Sequence, residues 1–390
     1  MKRFLVLDSF RGLCALAVVL HHFHATHSLG ELAFFRQANY LVNFFFVLSG
    51  FVLCHIYADR LNSSVQFKRF VIARICRLYP LHLATLLAAL LLEVAKLTLE
   101  KNGVGFSVAS FSGARAPSEI LPNLLLLQSW WPGFDQMSFN FPSWSISVEF
   151  YLYLLFAVIV ATLPTLWRQA FVALAAWGLL ALYFQSTLLA EGAWVGICCF
   201  FSGAMTYRLY HRFKDQPVNR RWATAIEAAG LAIVVLAVTW SGRSQNISLS
   251  LLFCAVIGVF AFEAGAISTL LRTRLFKWAG TLSFSIYMTH TLILFVITTG
   301  MMVLGKLTGV ALVTDVPSPI GMGAVRFIDT GSMLLDNLVI LAGLAMVLAL
   351  STLTHRHIEL PGIELGKVWS RRATGEGETR PPGEEAARGQ

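Results

Sequence analysis

Charge is what this sequence has least of. Only 13% of its 390 residues are Asp, Glu, Lys or Arg, while 56% are hydrophobic. A soluble globular chain carries about 25% charged residues, so a soluble globule is excluded and a multi-spanning membrane protein is predicted. Cysteine is also scarce. The six, at positions 14, 54, 76, 198, 199 and 254, fall in or beside apolar segments with no paired spacing in an exposed loop. That argues against a disulfide framework or a zinc site. No internal repeat of the kind that inverted-repeat transporters often show is visible. Nothing resembles a nucleic-acid-binding module, so no nucleic-acid partner is expected and the net charge of +9 is read through membrane topology. Lys2 and Arg3 precede an apolar run, but Asp8 and Arg11 interrupt it and no small-residue cleavage site follows. The N-terminus is therefore expected to be retained and cytoplasmic.

What the chain does have is long apolar runs. Windows of about 20 residues give ten candidate transmembrane helices, near 9–27, 41–58, 79–99, 144–163, 170–189, 192–209, 223–240, 248–268, 279–304 and 333–353. The predicted fold class is all-α, a polytopic integral membrane protein, and an even count puts both termini on one side. With a cytoplasmic N-terminus the inner loops hold Arg60, Lys68, Arg69, Arg74, Arg77, Arg168, Arg208, Arg212, Lys214, Arg220, Arg221, Arg272, Arg274 and Lys277. The outer loops hold Arg36, Lys101, Arg115, Arg243, Lys306 and Arg326, so the basic bias agrees with both termini being cytoplasmic. Ten tryptophans suit anchoring at the lipid–water boundary. The long outer segment 100–143 contains ILPNLLLLQSWW and is expected to pack a short helix. From about 372 the chain turns Gly, Pro and Glu rich, so 1–371 is taken as the transmembrane domain and 372–390 as a disordered cytoplasmic tail.

The organising stretch is DSFRGLCALAVVLHHFHATH, residues 8–27. It is an apolar helix with Asp8 and Arg11 at one end and histidines at the other, costly in lipid unless those groups line something. Eleven residues at 100° each bring His22 back to within about 20° of Arg11, and the rise puts them roughly 16 Å apart on one stripe. One helix face thus joins an anion-binding end to a proton-transfer end. Of the four histidines at 21, 22, 24 and 27, only 24 and 27 approach metal-ligand spacing, so no metal is assigned. His21, His24 and His27 are read as interfacial polar residues and His22 as the candidate base.

Further along, NFFFVLSGFVLCHIY places Ser49 and Gly50 near mid-membrane, where small residues allow close helix packing or line a channel. FKRFVIARICRLYP reads as an inner loop leading to a helix that starts near Pro80, with Arg74 and Arg77 three apart on one helical face. They are topology markers, lipid phosphate contacts, or a clamp for a phosphorylated cosubstrate, because guanidinium pairs with phosphate in fork geometry. FNFPSWSISVEFYLYLLF gives an outer anchor, Trp144, and a carboxylate, Glu149, about 7 Å inward by helical rise. His22 lies at a similar depth, so Glu149 is expected to orient and strengthen His22 as a base. KWAGTLSFSIYMTHTLIL sets Tyr287 and His290 on one face near mid-membrane, as substrate-binding or channel candidates together with Asp8 and Trp144. HRHIELPGIELGKVW, with Glu359 and Pro361, is expected to end the last helix and lie along the inner surface.

The series LDSFRG…HH, FFFVLSGF, ARICRLYP, FNFPSWSISVEF, GTLSFSIYMTH and HIELPG, in this order and spacing, resembles the membrane-bound acyltransferase-3 family. The resemblance covers roughly residues 5–370, and the ordered set is specific where each motif alone is not. It implies O-acylation of sugars and other hydroxylated compounds, an acyl-coenzyme A donor on the cytoplasmic side as cosubstrate with no permanently bound cofactor, and a bacterial inner membrane location. The family's arginine–histidine pattern falls on Arg11 and His22, its paired arginines on Arg74 and Arg77, and its tryptophan–glutamate motif on Trp144 and Glu149. Some members carry an added esterase-like domain, for which no room is expected here. The expected mechanism has Arg11, Arg74 and Arg77 hold the coenzyme A phosphates while His22, helped by Glu149, deprotonates the acceptor hydroxyl. Rival readings are a transporter, an enzyme for a soluble cytoplasmic metabolite, and an export-complex partner without acyl-transfer chemistry.

Overall fold

The computed structural model describes residues 2–106, 108–241, 246–317 and 324–373. Fourteen helices follow in chain order: α1 (Leu5–His22), α2 (Ala33–Arg36), α3 (Leu41–Tyr57), α4 (Ser64–Lys101), α5 (Ile120–Leu124), α6 (Ser143–Thr162), α7 (Trp167–Tyr183), α8 (Glu191–Phe213), α9 (Arg220–Thr239), α10 (Asn246–Phe260), α11 (Ala266–Leu271), α12 (Arg274–Thr308), α13 (Met333–Thr354) and α14 (Leu360–Arg372). Between α12 and α13 an antiparallel hairpin pairs β1 (Val313–Pro317) with β2 (Ala324–Ile328), and Ile328 also bridges to Ala25 just beyond α1. The predicted tail beyond residue 373, and Arg243 of the outer-loop set, lie outside the described residues.

Each of the ten apolar windows falls on a helix. Among the described residues seven helical stretches are long and apolar enough to cross a membrane: α1, α3, α4, α6, α9, α12 and the joined α13–α14. Of the others, α7 has 17 residues and α10 has 15. The outward faces are those of a chain solvated by lipid. On α4, Leu87 and Leu91 are 59% and 61% exposed on successive turns, an arrangement that water would penalise and acyl chains would not.

Apolar surface gives no drive for helices to associate in lipid, so close backbone approach must supply the contact. A Cβ at Gly50 would run into the Phe200 carbonyl, and one at Gly203 into the carbonyl of Val47, so α3 and α8 meet glycine to backbone. Gly12 and Gly280 do the same for α1 and α12. The packing reading of Gly50 therefore holds, and α1, which carries the histidines, is seated along α12, which carries Tyr287 and His290.

Two expected boundaries are corrected. The basic stretch before Pro80 is the first part of α4, which begins at Ser64, where Ser63 Oγ accepts the Gln66 N–H at 3.3 Å. Pro80 lies inside the helix and cannot donate to the carbonyl of Cys76. Gly362 of α14 takes up the space this leaves, its ideal Cβ position only 2.6 Å from the Cys76 oxygen and 2.9 Å from Pro80. Nor does HRHIELPG end a helix. A π-helical turn at His355–Glu359 joins α13 to α14, which packs back on α4. The N-terminal segment is tied to the ends of α3, α8 and α10: Lys2 donates to Tyr210 and the Ala261 carbonyl, and the ring of His55, near the end of α3, bonds the Lys2 carbonyl. The short helix expected in the long outer segment is α5.

Candidate active site

His22 is the last residue of α1 and is partly exposed. Its Nδ1 lies 3.0 Å from the Val18 carbonyl and 3.2 Å from Nε2 of His290. The edge of Phe141, from the FNFPSW segment, covers the ring at 4.9 Å between centroids. His290 is fully buried, and its Nδ1 lies 2.7 Å from the Tyr287 carbonyl. The FNFPSW segment is tied to the same place, since Asn140 donates to the Met288 carbonyl at 3.0 Å and accepts from Thr291 at 2.8 Å.

The neighbouring histidines have other attachments. His21 Nδ1 donates to the Phe35 carbonyl at 3.1 Å, so its ring turns toward α2. His24 Nδ1 lies 2.6 Å from a guanidinium nitrogen of Arg36. A guanidinium only donates, so that nitrogen is an acceptor and the His24 proton sits on Nε2. Arg36 also donates to the carbonyls of Leu20, Phe23 and Gly30, closing the C-terminal end of α1 with a cation where the helix dipole favours one. His27 is exposed, and its backbone N–H donates to Asp336. Among the described residues no three His, Cys, Asp or Glu side chains form a group able to hold a metal ion.

Glu149, one of the sequence-predicted pair, is not beside His22. Its carboxylate accepts from Ser49 Oγ of α3 and from the hydroxyl of Tyr153, one turn along α6. Equal depth fixes a position along the membrane normal but not the hydrogen-bond partner, and the partners here are hydroxyls of α3 and α6. Glu149 belongs with the arginines of α4. Arg77, three residues on from Arg74 along α4, is partly buried. Arg74 donates to the Tyr57 hydroxyl at 3.3 Å, and its guanidinium lies over the rings of Tyr57, Phe70 and Tyr153 at 5.5–5.6 Å. Its Nε is buried and has no hydrogen-bond partner among the described residues. Arg11 is partly buried and makes no hydrogen bond or ion pair among the described residues, so its cationic face is uncommitted. Asp8 is paired with Arg3 at 2.7 Å. The Trp144 ring packs on Gly192 and edge-on to Phe46 and is partly exposed.

Between the arginines and His22 runs a file of polar side chains. One turn along α6 from Glu149, Ser145 donates to the Tyr287 hydroxyl at 2.9 Å, and the Tyr287 ring lies 5.9 Å from that of His290, which touches His22. Tyr153, Tyr57, Ser145, Asn140 and Phe141 were missed from sequence. Tyr153 was within reach of a sequence argument, since a tyrosine four residues after a membrane carboxylate lies on its face. Glu359 forms a second buried node, accepting from Ser285 at 2.9 Å and paired with His355 at 2.9 Å.

A family described as an acyltransferase domain matches residues 4–356. Acyltransferase MdmB of Streptomyces mycarofaciens is 35% identical over 160 residues, 38% of this chain and 37% of that protein. Peptidoglycan O-acetyltransferase OatA of Listeria monocytogenes is 23% identical over 323 residues, 73% of this chain and 48% of that protein. Protein 2 of the picA locus of Rhizobium radiobacter is 41% identical over 87 residues, 22% of this chain and 43% of that protein. The chain thus spans less than half the length of the curated relatives it matches. No solved structure matches it.

Proposed function

The chain belongs to the acyltransferase-3 family, and we propose that it transfers an acyl group, with acetyl the expected one, from acyl-coenzyme A to a hydroxyl of a carbohydrate or glycan. The observation that carries the reading is the polar file joining two unlike ends. At one end Arg74 offers a buried, unpartnered Nε and Arg11 an uncommitted guanidinium, which suits phosphate. At the other, His22 has a ring nitrogen, Nε2, that makes no hydrogen bond among the described residues. Coenzyme A is anionic at its nucleotide and reactive at the tip of a long thin arm, so its two ends match the two ends of the file.

In the proposed reaction Arg11, Arg74 and Arg77 hold the phosphates, and the pantetheine arm extends toward His22. The acceptor hydroxyl gives its proton to His22 Nε2 as its oxygen attacks the thioester carbonyl carbon. The C–S bond then breaks, and the departing thiolate takes the proton back from His22, leaving ester, free coenzyme A and neutral histidine. No covalent enzyme intermediate is needed. Glu149 is assigned to the donor end, where its charge and the Tyr153 hydroxyl orient Arg77, rather than to the base. The chain is placed in a bacterial inner membrane with ten spans, three of them on α7, α8 and α10, and with both termini cytoplasmic.

The test uses the full chain in membrane vesicles, given labelled acetyl-coenzyme A and a glycan extract, with products read by mass spectrometry. The expected product is a glycan heavier by one acetyl group, formed by the native protein and absent with His22→Ala, which inserts normally. Full activity in His22→Ala, or uptake of glycan with no acylated product, would overturn the reading.

A further inference from the structure

The buried ring of His290 explains which nitrogen of His22 does the chemistry. This inference rests on His22 being the base. His290 Nδ1 faces the Tyr287 carbonyl at 2.7 Å, and a carbonyl oxygen only accepts, so the His290 proton is on Nδ1 and its Nε2 carries a lone pair. That lone pair points at His22 Nδ1, 3.2 Å away, and the other neighbour of His22 Nδ1 is the Val18 carbonyl at 3.0 Å. Both neighbours of His22 Nδ1 are acceptors. His22 Nδ1 therefore carries the proton and its lone pair is on Nε2, the atom without a protein partner.

We infer that His290 is a positioning residue that locks His22 in the Nδ1-protonated form, holds its ring edge-on to Phe141, and accepts from the imidazolium that forms when the acceptor hydroxyl is deprotonated. The Val18 carbonyl alone could fix the proton on Nδ1, but it comes from the same helix one turn back and does not set the ring from outside. His290 comes from α12, and α12 is held to α1 by the glycine contact of Gly12 with Gly280. The division of labour follows from exposure. His290 is 0% exposed and has no route to a substrate, whereas His22 is partly exposed and can meet one. The arrangement parallels the orienting third member of a nucleophile–base–orienter set, with a neutral imidazole in the place usually taken by a carboxylate. It also accounts for why His22 needs no contact with Glu149.

The experiment is a kinetic and spectroscopic comparison of the full chain in vesicles, with acetyl-coenzyme A as donor. His290→Phe keeps a ring of similar size but no acceptor. Its kcat is expected to fall roughly tenfold to a hundredfold, a fraction of what a general base supplies, with both KM values unchanged. His290→Gln can present an amide oxygen near the position of Nε2 and is expected to recover most of that loss, which a packing role would not predict. Solid-state NMR of 13C,15N-histidine-labelled native protein, with His22 assigned by difference against His22→Gln, is expected to show a neutral ring protonated at Nδ1. A His290→Phe protein with native kcat, a Gln variant no better than Phe, or a native His22 protonated at Nε2 would each overturn the inference. If His290→Phe does not insert, the Gln variant and the native spectrum still decide it. Full activity in His22→Ala would instead remove the reading on which it rests.

Discussion

On the proposed assignment of Arg74 to a donor phosphate, replacing it by lysine separates donor binding from chemistry. The native guanidinium is held ready by the Tyr57 hydroxyl and by three aromatic rings, and its buried Nε is left without a partner. Lysine keeps the positive charge but loses the planar fork, the Nε donor and the stacking. One charge-assisted hydrogen bond to a phosphate oxygen is worth about 1.5–3 kcal/mol. The rings already restrain the arginine, so little of that is offset by ordering the side chain on binding. A loss of about 2–3 kcal/mol corresponds to roughly 30- to 150-fold in affinity at about 1.4 kcal/mol per decade. Arg74→Lys is therefore expected to raise the KM for acetyl-coenzyme A by that factor, while kcat stays within about threefold because His22 is at the far end of the file. Tyr57→Phe removes only the Nη2 contact, and its expected rise is about two- to tenfold. The decisive comparison uses acetyl-pantetheine, which has the thioester and arm but no nucleotide phosphates. With that donor, native and Arg74→Lys proteins should have the same kcat/KM. An equal loss with both donors, or a collapse of kcat at unchanged KM, would refute the assignment of Arg74 to phosphate.

Glu149→Gln tests the corrected position of that carboxylate. Acting through Arg77, it should raise the donor KM several-fold with kcat nearly native, whereas a partner of His22 would show a loss of kcat on the order of a hundredfold, the lower end of general-base catalysis. Glu227 of α9, 1% exposed, accepts from the backbone of Gly265 and Ser268 and from Ser268 Oγ at the start of α11. Glu227→Ala leaves those donors unmet and should cost about 2–4 kcal/mol, read as a lower thermal unfolding midpoint in detergent with kcat preserved by the folded fraction. In the hairpin, Arg326 holds the Asp315 carboxyl below the usual carboxylate range by hydrogen bonding. A lowered carboxylate pKa stabilises the fold above the unfolded value, and that contribution is lost as pH falls. Asp315→Asn should therefore cost about 0.5–1 kcal/mol at neutral pH, as for an exposed pair, and the difference from native should begin to shrink near pH ~4 and vanish only once pH has fallen through the lowered folded-state value.

How much of this was legible depended on whether a feature is one-dimensional. Runs of apolar residues are, and each window found its helix. Arg11 and His22 lie on one helix, so their shared stripe followed from helical phase alone. The start of α4 was misplaced because a basic stretch reads as a loop when charge is used to assign sidedness, although Ser63 and Gln66 had the spacing of an N-cap. The continuation through Pro361 was hidden because a proline usually ends a helix, and here a π turn absorbs it. The hairpin was invisible to a scan for windows of about 20 residues, since each strand has five. Partner choice was the least legible feature. Depth suggested Glu149 for His22, but depth is one coordinate, and the position around the bundle is set by which glycines let which helices close.

That last point bears on why the site tolerates charge inside an apolar bundle at all. Glu149 makes no bond to His22, whose Nδ1 is already taken up by the Val18 carbonyl and His290. Instead the Glu149 oxygen is taken up by two hydroxyls, from Ser49 and Tyr153. At the other end the direct contacts of His22 are a histidine ring, a backbone carbonyl and the edge of Phe141, with the Arg36 cation close by on the carbonyls of Leu20 and Phe23. In the proposed reaction the imidazolium formed on His22 would find its acceptors in the Val18 carbonyl and His290 Nε2, with no bonded carboxylate to be separated when the proton moves on. On that reading the carboxylate stays with the arginines of α4 and the base with its histidine partner, and the glycine contacts of α1 with α12 and of α3 with α8 set the packing of the helices that carry them.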